Sequence, residues 1–200
     1  MSITAVARRL GRAKALFAAA TIAALGYAGP VQALDLAPSA ARASDTGLAP
    51  GLAVSYVYDF VRHIDDIDGW DEAEAGDPLP RLDYRSGEGE VLGSGENNGV
   101  CAAIKGFIKF AKAGTWTLKV TSNDGVQVNL AGSKIIEDPD VHGDRDSPAI
   151  KVKVAKGGWY PLDIVYFERK GTSTLRLWWS PPDGGDFKIV PVAALSHEGT

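Results

Sequence analysis

The strongest constraint in this sequence is a two-residue rhythm. In Thr115-Trp116-Thr117-Leu118-Lys119-Val120-Thr121 the apolar Trp116, Leu118 and Val120 alternate with polar neighbours. Successive side chains of a strand point to opposite faces, so these three share one buried face and the rest meet water. Comparable runs recur at 52–58, 101–109, 126–130, 150–154, 159–168 and 174–180, separated by turn residues such as Ala113-Gly114, Gly157-Gly158 and Lys170-Gly171. No comparable helical period follows residue 50. Many short antiparallel strands with one apolar face each must bury those faces against a second sheet or close into a barrel. The expectation is an all-β fold, an antiparallel β-sandwich.

Parity extends the reading. Trp178 and Trp179 are adjacent in a strand and point to opposite faces; Trp179 shares its face with Leu175 and Leu177, which leaves Trp178 outside beside Arg176 and Thr174. An outward Trp either stacks on a sugar ring or covers a loop. There is also an internal echo: 108–116 and 152–159 each read as a strand, a small-residue turn with glycine and then an aromatic, the pattern of two hairpins. Two are too few for a repeat architecture.

The N-terminus follows the three-part plan of an export leader. Arg8, Arg9, Arg12 and Lys14 precede an apolar run from Ala15 to Ala28, followed by Val31-Gln32-Ala33. That run is shorter than the roughly 20 residues a membrane-crossing helix needs, so cleavage after Ala33 is expected rather than anchoring. Gly11 and Arg12 after the arginine pair favour the general secretory route over twin-arginine export. The expected organisation is a cleavable signal peptide at 1–33, a flexible linker rich in Ala, Ser, Pro and Asp at 34–48, and one sandwich domain at 49–200, periplasmic or secreted.

Cleavage removes four of 21 basic residues and no acidic one, leaving 17 against 25 and a net charge of −8. So acidic a chain lacks the basic stripe that neutralises phosphates, which excludes nucleic acid as the expected partner. The single cysteine, Cys101, allows no internal disulfide, and its small apolar neighbours mark it as a buried, inert thiol.

The order of landmarks resembles the PA14 domain family. The residues carrying it are Gly51-Leu52 with Tyr56, then 104–109 followed by Ala113-Gly114-Thr115-Trp116, then Ser122-Asn123-Asp124-Gly125-Val126, which is similar to the family's Ser-Asp-Asp-Gly loop. Ala131-Gly132, Lys156-Gly157-Gly158-Trp159-Tyr160-Pro161, 164–168 and 175–180 complete the pattern over about residues 51–195, weakest at 61–95. The resemblance implies a β-sandwich and, in several members, calcium-dependent glycan binding through two adjacent aspartates joined by a cis peptide. Other members serve as spacers or assembly modules.

By that resemblance the metal ligands would be Asn123, Asp124 and Glu168, and the carbohydrate contacts Asp124, Glu168 and Trp178, with residues 169–173 forming a selecting rim. Calcium needs several hard oxygens converging at about 2.3–2.6 Å. Asn123 keeps an oxygen where the family carries its first aspartate but removes a charge. Asn-Asp-Gly is equally a good hairpin turn needing no ligand, and Glu168 equally a partner for Arg169 or Lys170.

Other acidic stretches are weaker. The loop 137–146 has oxygens at alternate positions, but the twelfth position from Asp138 is Ala149 where an EF-hand needs a bidentate glutamate. It reads as a solvated loop whose place beside Asp124 in the resembled fold would let it add a ligand. Asp65, Asp66, Asp68, Asp71 and Glu72 raise a glycosidase reading, yet nothing in the sequence shows two carboxylates about 5–9.5 Å apart. His63, His142 and His197 are scattered, without a hydrolase or zinc motif. The expectation is a non-catalytic module for a glycan or cell-envelope polysaccharide, with calcium as the cofactor. The alternative is a structural module packing on an envelope protein.

Overall fold

The computed structural model describes residues 33–42 and 44–199. The leader expected at 1–33 lies outside these except for Ala33. Strands β1 (Leu34–Leu36), β2 (Leu48–Pro50), β3 (Ala53–Tyr58), β4 (Glu74–Ala75) and β5 (Asp83–Ser86) come first. Then follow β6 (Val100–Phe110), β7 (Gly114–Asn123), β8 (Val126–Leu130), β9 (Ser133–Asp138), β10 (Arg145–Asp146), β11 (Ile150–Val154), β12 (Gly158–Glu168), β13 (Ser173–Ser180), β14 (Lys188–Ile189) and β15 (Leu195–Glu198). Each alternating run in the sequence became a strand within two residues of its expected ends. Among the described residues, no helix is long and apolar enough to cross a membrane.

The strands form two sheets. One runs β1-β11-β7-β13-β14, with β5 also on β13 and β10 also on β7; the other runs β2-β15-β6-β12-β8-β9, with β3 on β6 and β4 on β3. The core lies between them, where Trp116, Leu118 and Val120 of β7 and Leu175 and Leu177 of β13 meet Ile104 and Ile108 of β6 and Leu162 and Ile164 of β12. Burying these side chains stabilises the fold by about 1.5–3 kcal/mol apiece.

Two expectations need correction. The turns at Ala113-Gly114 and Gly157-Gly158 do not close hairpins, because β6 and β7, like β11 and β12, lie in opposite sheets. Each turn carries the chain across the sandwich, with Gly114 at φ 135° and Gly158 at φ 153°, which side-chain-bearing residues rarely adopt. The segment 34–48 is not a free linker either. β1 pairs in parallel with the edge of β11 and Leu36 is buried in the main core. Arg42 exchanges backbone hydrogen bonds with Trp159, and β2 joins β15. Leu34 and Leu36 alternate with Asp35, but a run of three residues is too short to announce a strand by its period.

A smaller cluster of Val61, Ile64, Ile67, Cys101 and Phe167 sits under the loop after β3. Cys101 is fully buried there, as expected, and burial, then the charge of Asp59, push its thiol up to about 12.

Candidate functional site

The link from β7 to β8 also crosses between sheets, so Asn123-Asp124-Gly125 is not the hairpin turn that its residue types suggested. It is a corner at one end of the sandwich, and the Asn123–Asp124 peptide is cis. Gly125 is required by crowding: a Cβ there would lie 2.4 Å from the Phe167 ring and 2.8 Å from the Pro139 carbonyl oxygen. The corner is pinned to β12, with the Asp124 N–H donating to Phe167 O at 3.2 Å and the Phe167 N–H to Gly125 O at 3.0 Å.

Asp124 is buried and faces inward. Its Oδ1 accepts the His142 backbone N–H at 2.9 Å and its Oδ2 the Arg169 backbone N–H at 2.8 Å. It thereby ties together the acidic loop before β10 and the loop after β12, two neighbours foreseen from sequence. The Tyr166 hydroxyl, held protonated by burial and by the charges of Glu168 and Asp124, donates to the Asn123 carbonyl.

Glu168 is fully buried, and among the described residues neither carboxylate oxygen has a hydrogen-bond partner. Burial, then the charge of Asp124, raises its carboxyl to about 7, because a desolvated carboxylate beside another is disfavoured. No ion pair joins it to Arg169 or Lys170.

Asn123 lies on the outer face. Its Nδ2 donates to Thr172 Oγ1 at 2.8 Å and to Asp144 Oδ1 at 3.2 Å. Register sets its company: Thr174 pairs with Asn123 on one side and with Arg85 on the other, so the three form a row across β5, β13 and β7, with paired residues about 5 Å apart. Arg85 Nε lies 3.2 Å from Asp144 Oδ2. Arg85, Ser86, Asn123, Asp144, Thr172 and Thr174 line a cleft of about 360 Å³. The Thr174 hydroxyl is buried beneath the cleft and has no hydrogen-bond partner among the described residues.

Calcium, implied by the family resemblance, is a poor match for these groups. Among the described residues, no three His, Cys, Asp or Glu side chains gather at metal-binding spacing. Asn123 turns its NH2 group, not its oxygen, toward Asp144 and Thr172, and both Asp124 oxygens already accept backbone N–H groups. Of the three expected ligands only Glu168 has oxygens without a hydrogen-bond partner among the described residues, where calcium takes about six to eight oxygens.

The structure brings Asn123, Asp124 and Glu168 to one end of the sandwich but not Trp178. That residue is on the outer face, as parity required, yet it pairs with Lys119 where Thr174 pairs with Asn123, four residues or about 13 Å along the strand. Its ring lies under the Arg176 guanidinium at 4.3 Å, and its Nε1 donates to Thr121 Oγ1 at 2.8 Å. The cluster Asp65, Asp66, Asp68, Asp71 and Glu72 is exposed. Sequence reading missed Arg85, Asp144 and Thr174 as cleft residues; the one usable signal was the acidic loop's expected place beside Asp124.

Fold and cleft together define a β-sandwich module with a polar site built by loops at one end. The PA14 domain family matches residues 86–193, more than half of the chain, and the protein belongs to it. Solved structures with the same fold include the PA14 sugar-binding domain of an RTX adhesin, with TM-score 0.56, 19% identity and coverage of 74% of this chain and 99% of that one. Another is the Epithelial Adhesin 9 A domain from Candida glabrata, solved with Galb1-4GlcNAc, with TM-score 0.61, 9% identity and coverage of 80% and 94%. An anti-sigma factor domain-containing protein aligns with TM-score 0.62 and 18% identity over 76% of this chain and 48% of its own, so the chain spans about half of that protein's length. No curated protein matches the chain significantly.

Proposed function

We propose that this chain is an exported, non-catalytic carbohydrate-binding module whose site is the cleft beside Asn123 and Asp124. The observation that carries this reading is the row Arg85, Thr174 and Asn123 closed over by Asp144. It sets the exposed Arg85 guanidinium, a donor, beside the Asp144 carboxylate, an acceptor, which suits the adjacent hydroxyls of a sugar. The adhesin relatives, one a sugar-binding domain and one solved with Galb1-4GlcNAc, support the same class of ligand, and the leader-like N-terminus supports a place in the periplasm or outside the cell. Glu168 acts from beneath, shaping the corner through Asp124 rather than touching ligand. A glycan array probed with the purified chain tests the reading. Binding that Asp144→Ala abolishes is expected; silence across the array sinks it and favours a structural role.

A further inference from the structure

The cleft sets a carboxylate and a guanidinium side by side at its mouth. Its carboxylate, Asp144, is held from two sides: Oδ1 accepts from the Asn123 amide at 3.2 Å, and Oδ2 faces Arg85 Nε at 3.2 Å. Negative charge at the mouth is therefore answered by a guanidinium of the chain itself. The Arg85 side chain is 74% exposed, so most of its donors are unspent, and β5 fixes its backbone through the Ser86–Ser173 pairing. Arg85 also stands just outside the segment matched by the family, 86–193.

We infer that Arg85 is the resident cation of this site, so that a sugar is bound directly through Arg85, Asn123 and Asp144 without calcium. The inference rests on the carbohydrate-binding reading above and specifies its chemistry. Three observations carry it. A divalent ion placed between Asn123 and Asp144 would meet the NH2 group of the amide, whose partial charge is positive. It would also sit beside the Arg85 guanidinium, which already answers the Asp144 charge and adds a modest, water-screened repulsion of a second cation. Finally, Asp124 is buried, anchored by the backbone N–H groups of His142 and Arg169, and does not line the cleft. With Arg85 in place, the ligand sees an acceptor in Asp144 and a charged donor fork in Arg85, an arrangement that reads hydroxyls by hydrogen bonds alone.

The experiment compares the same glycan array in EDTA and in millimolar calcium, using the full purified chain. The expected result is one binding pattern in both buffers and no calcium-dependent rise in unfolding temperature. Arg85→Gln is expected to weaken binding about ten- to a hundredfold, the worth of one charged hydrogen bond, with Arg85→Lys recovering part of it. Arg85 is exposed, so circular dichroism of both variants should match the parent. Binding that appears only with calcium, or a calcium-dependent rise in unfolding temperature lost in Asp124→Ala, overturns the inference and leaves the carbohydrate reading standing. Full binding by Arg85→Gln also overturns it. Silence in both buffers removes the carbohydrate reading and this inference with it.

Discussion

The Asn123 amide donates to the Asp144 carboxylate at 3.2 Å and to Thr172 Oγ1 at 2.8 Å, and so joins the loops before β10 and before β13 at the outer face of the sandwich. This contact explains why an uncharged residue occupies position 123. An aspartate there would place a second carboxylate against Asp144, with Asp124 and Glu168 just behind.

Asn123→Asp is therefore expected to destabilise the chain by about 1–3 kcal/mol, the cost of replacing a hydrogen bond with an unpaired, repelling charge. Urea unfolding in EDTA measures it. An unchanged midpoint would mean that the Asn123–Asp144 contact does not hold the corner.

Gly125 and Gly143 make a matched pair of tests. A methyl on Gly125 collides with the Phe167 ring and the Pro139 carbonyl, whereas one on Gly143 meets nothing within 4 Å. Gly125→Ala should cost about 1–3 kcal/mol by overpacking, and Gly143→Ala should stay within about 0.5 kcal/mol. Equal unfolding temperatures for the two variants would refute this account of the corner.

The long strands were legible because their burial is periodic: Trp116, Leu118 and Val120 announce a face by spacing alone. Which sheet each strand joins was not legible. Ala113-Gly114 and Asn123-Asp124-Gly125 have the composition of hairpin turns, and only the pairing of β6 and β8 with β12, and of β7 with β13, reveals that they cross the sandwich. The candidate site divides the same way. Asp124 follows from a local motif, but Arg85 enters only through long-range pairing of β5 with β13, to which a four-residue strand of mixed polarity gives no clue. The outward direction of Trp178 was legible from parity, while its cover by Arg176 depended on a neighbour two residues back on the same face.

The N-terminal strap offers a test of domain boundaries. Leu36 sits in the main core at 3% exposure, at the end of a three-residue parallel edge strand. Leu36→Ala should destabilise the chain by about 2 kcal/mol, toward the low end for a buried leucine because an edge can relax. Unfolding followed by Trp fluorescence reads this. No effect would restore the segment to the status of a linker.

Glu168 supplies the pH dependence. Its carboxyl rises from 4.5 to about 7 on folding, so the folded state binds a proton that the unfolded chain releases more readily. Stability from this group is fully present below about pH 4.5, is lost as pH rises toward 7, and levels off above. Glu168→Gln keeps the shape and removes the charge, and should stabilise the chain at pH 8 by as much as about 3 kcal/mol while changing little near pH 4. Calcium-free unfolding at both pH values separates this from a ligand role. A variant less stable than the parent at pH 8 would mean that the carboxylate is satisfied in the native state by something other than a proton.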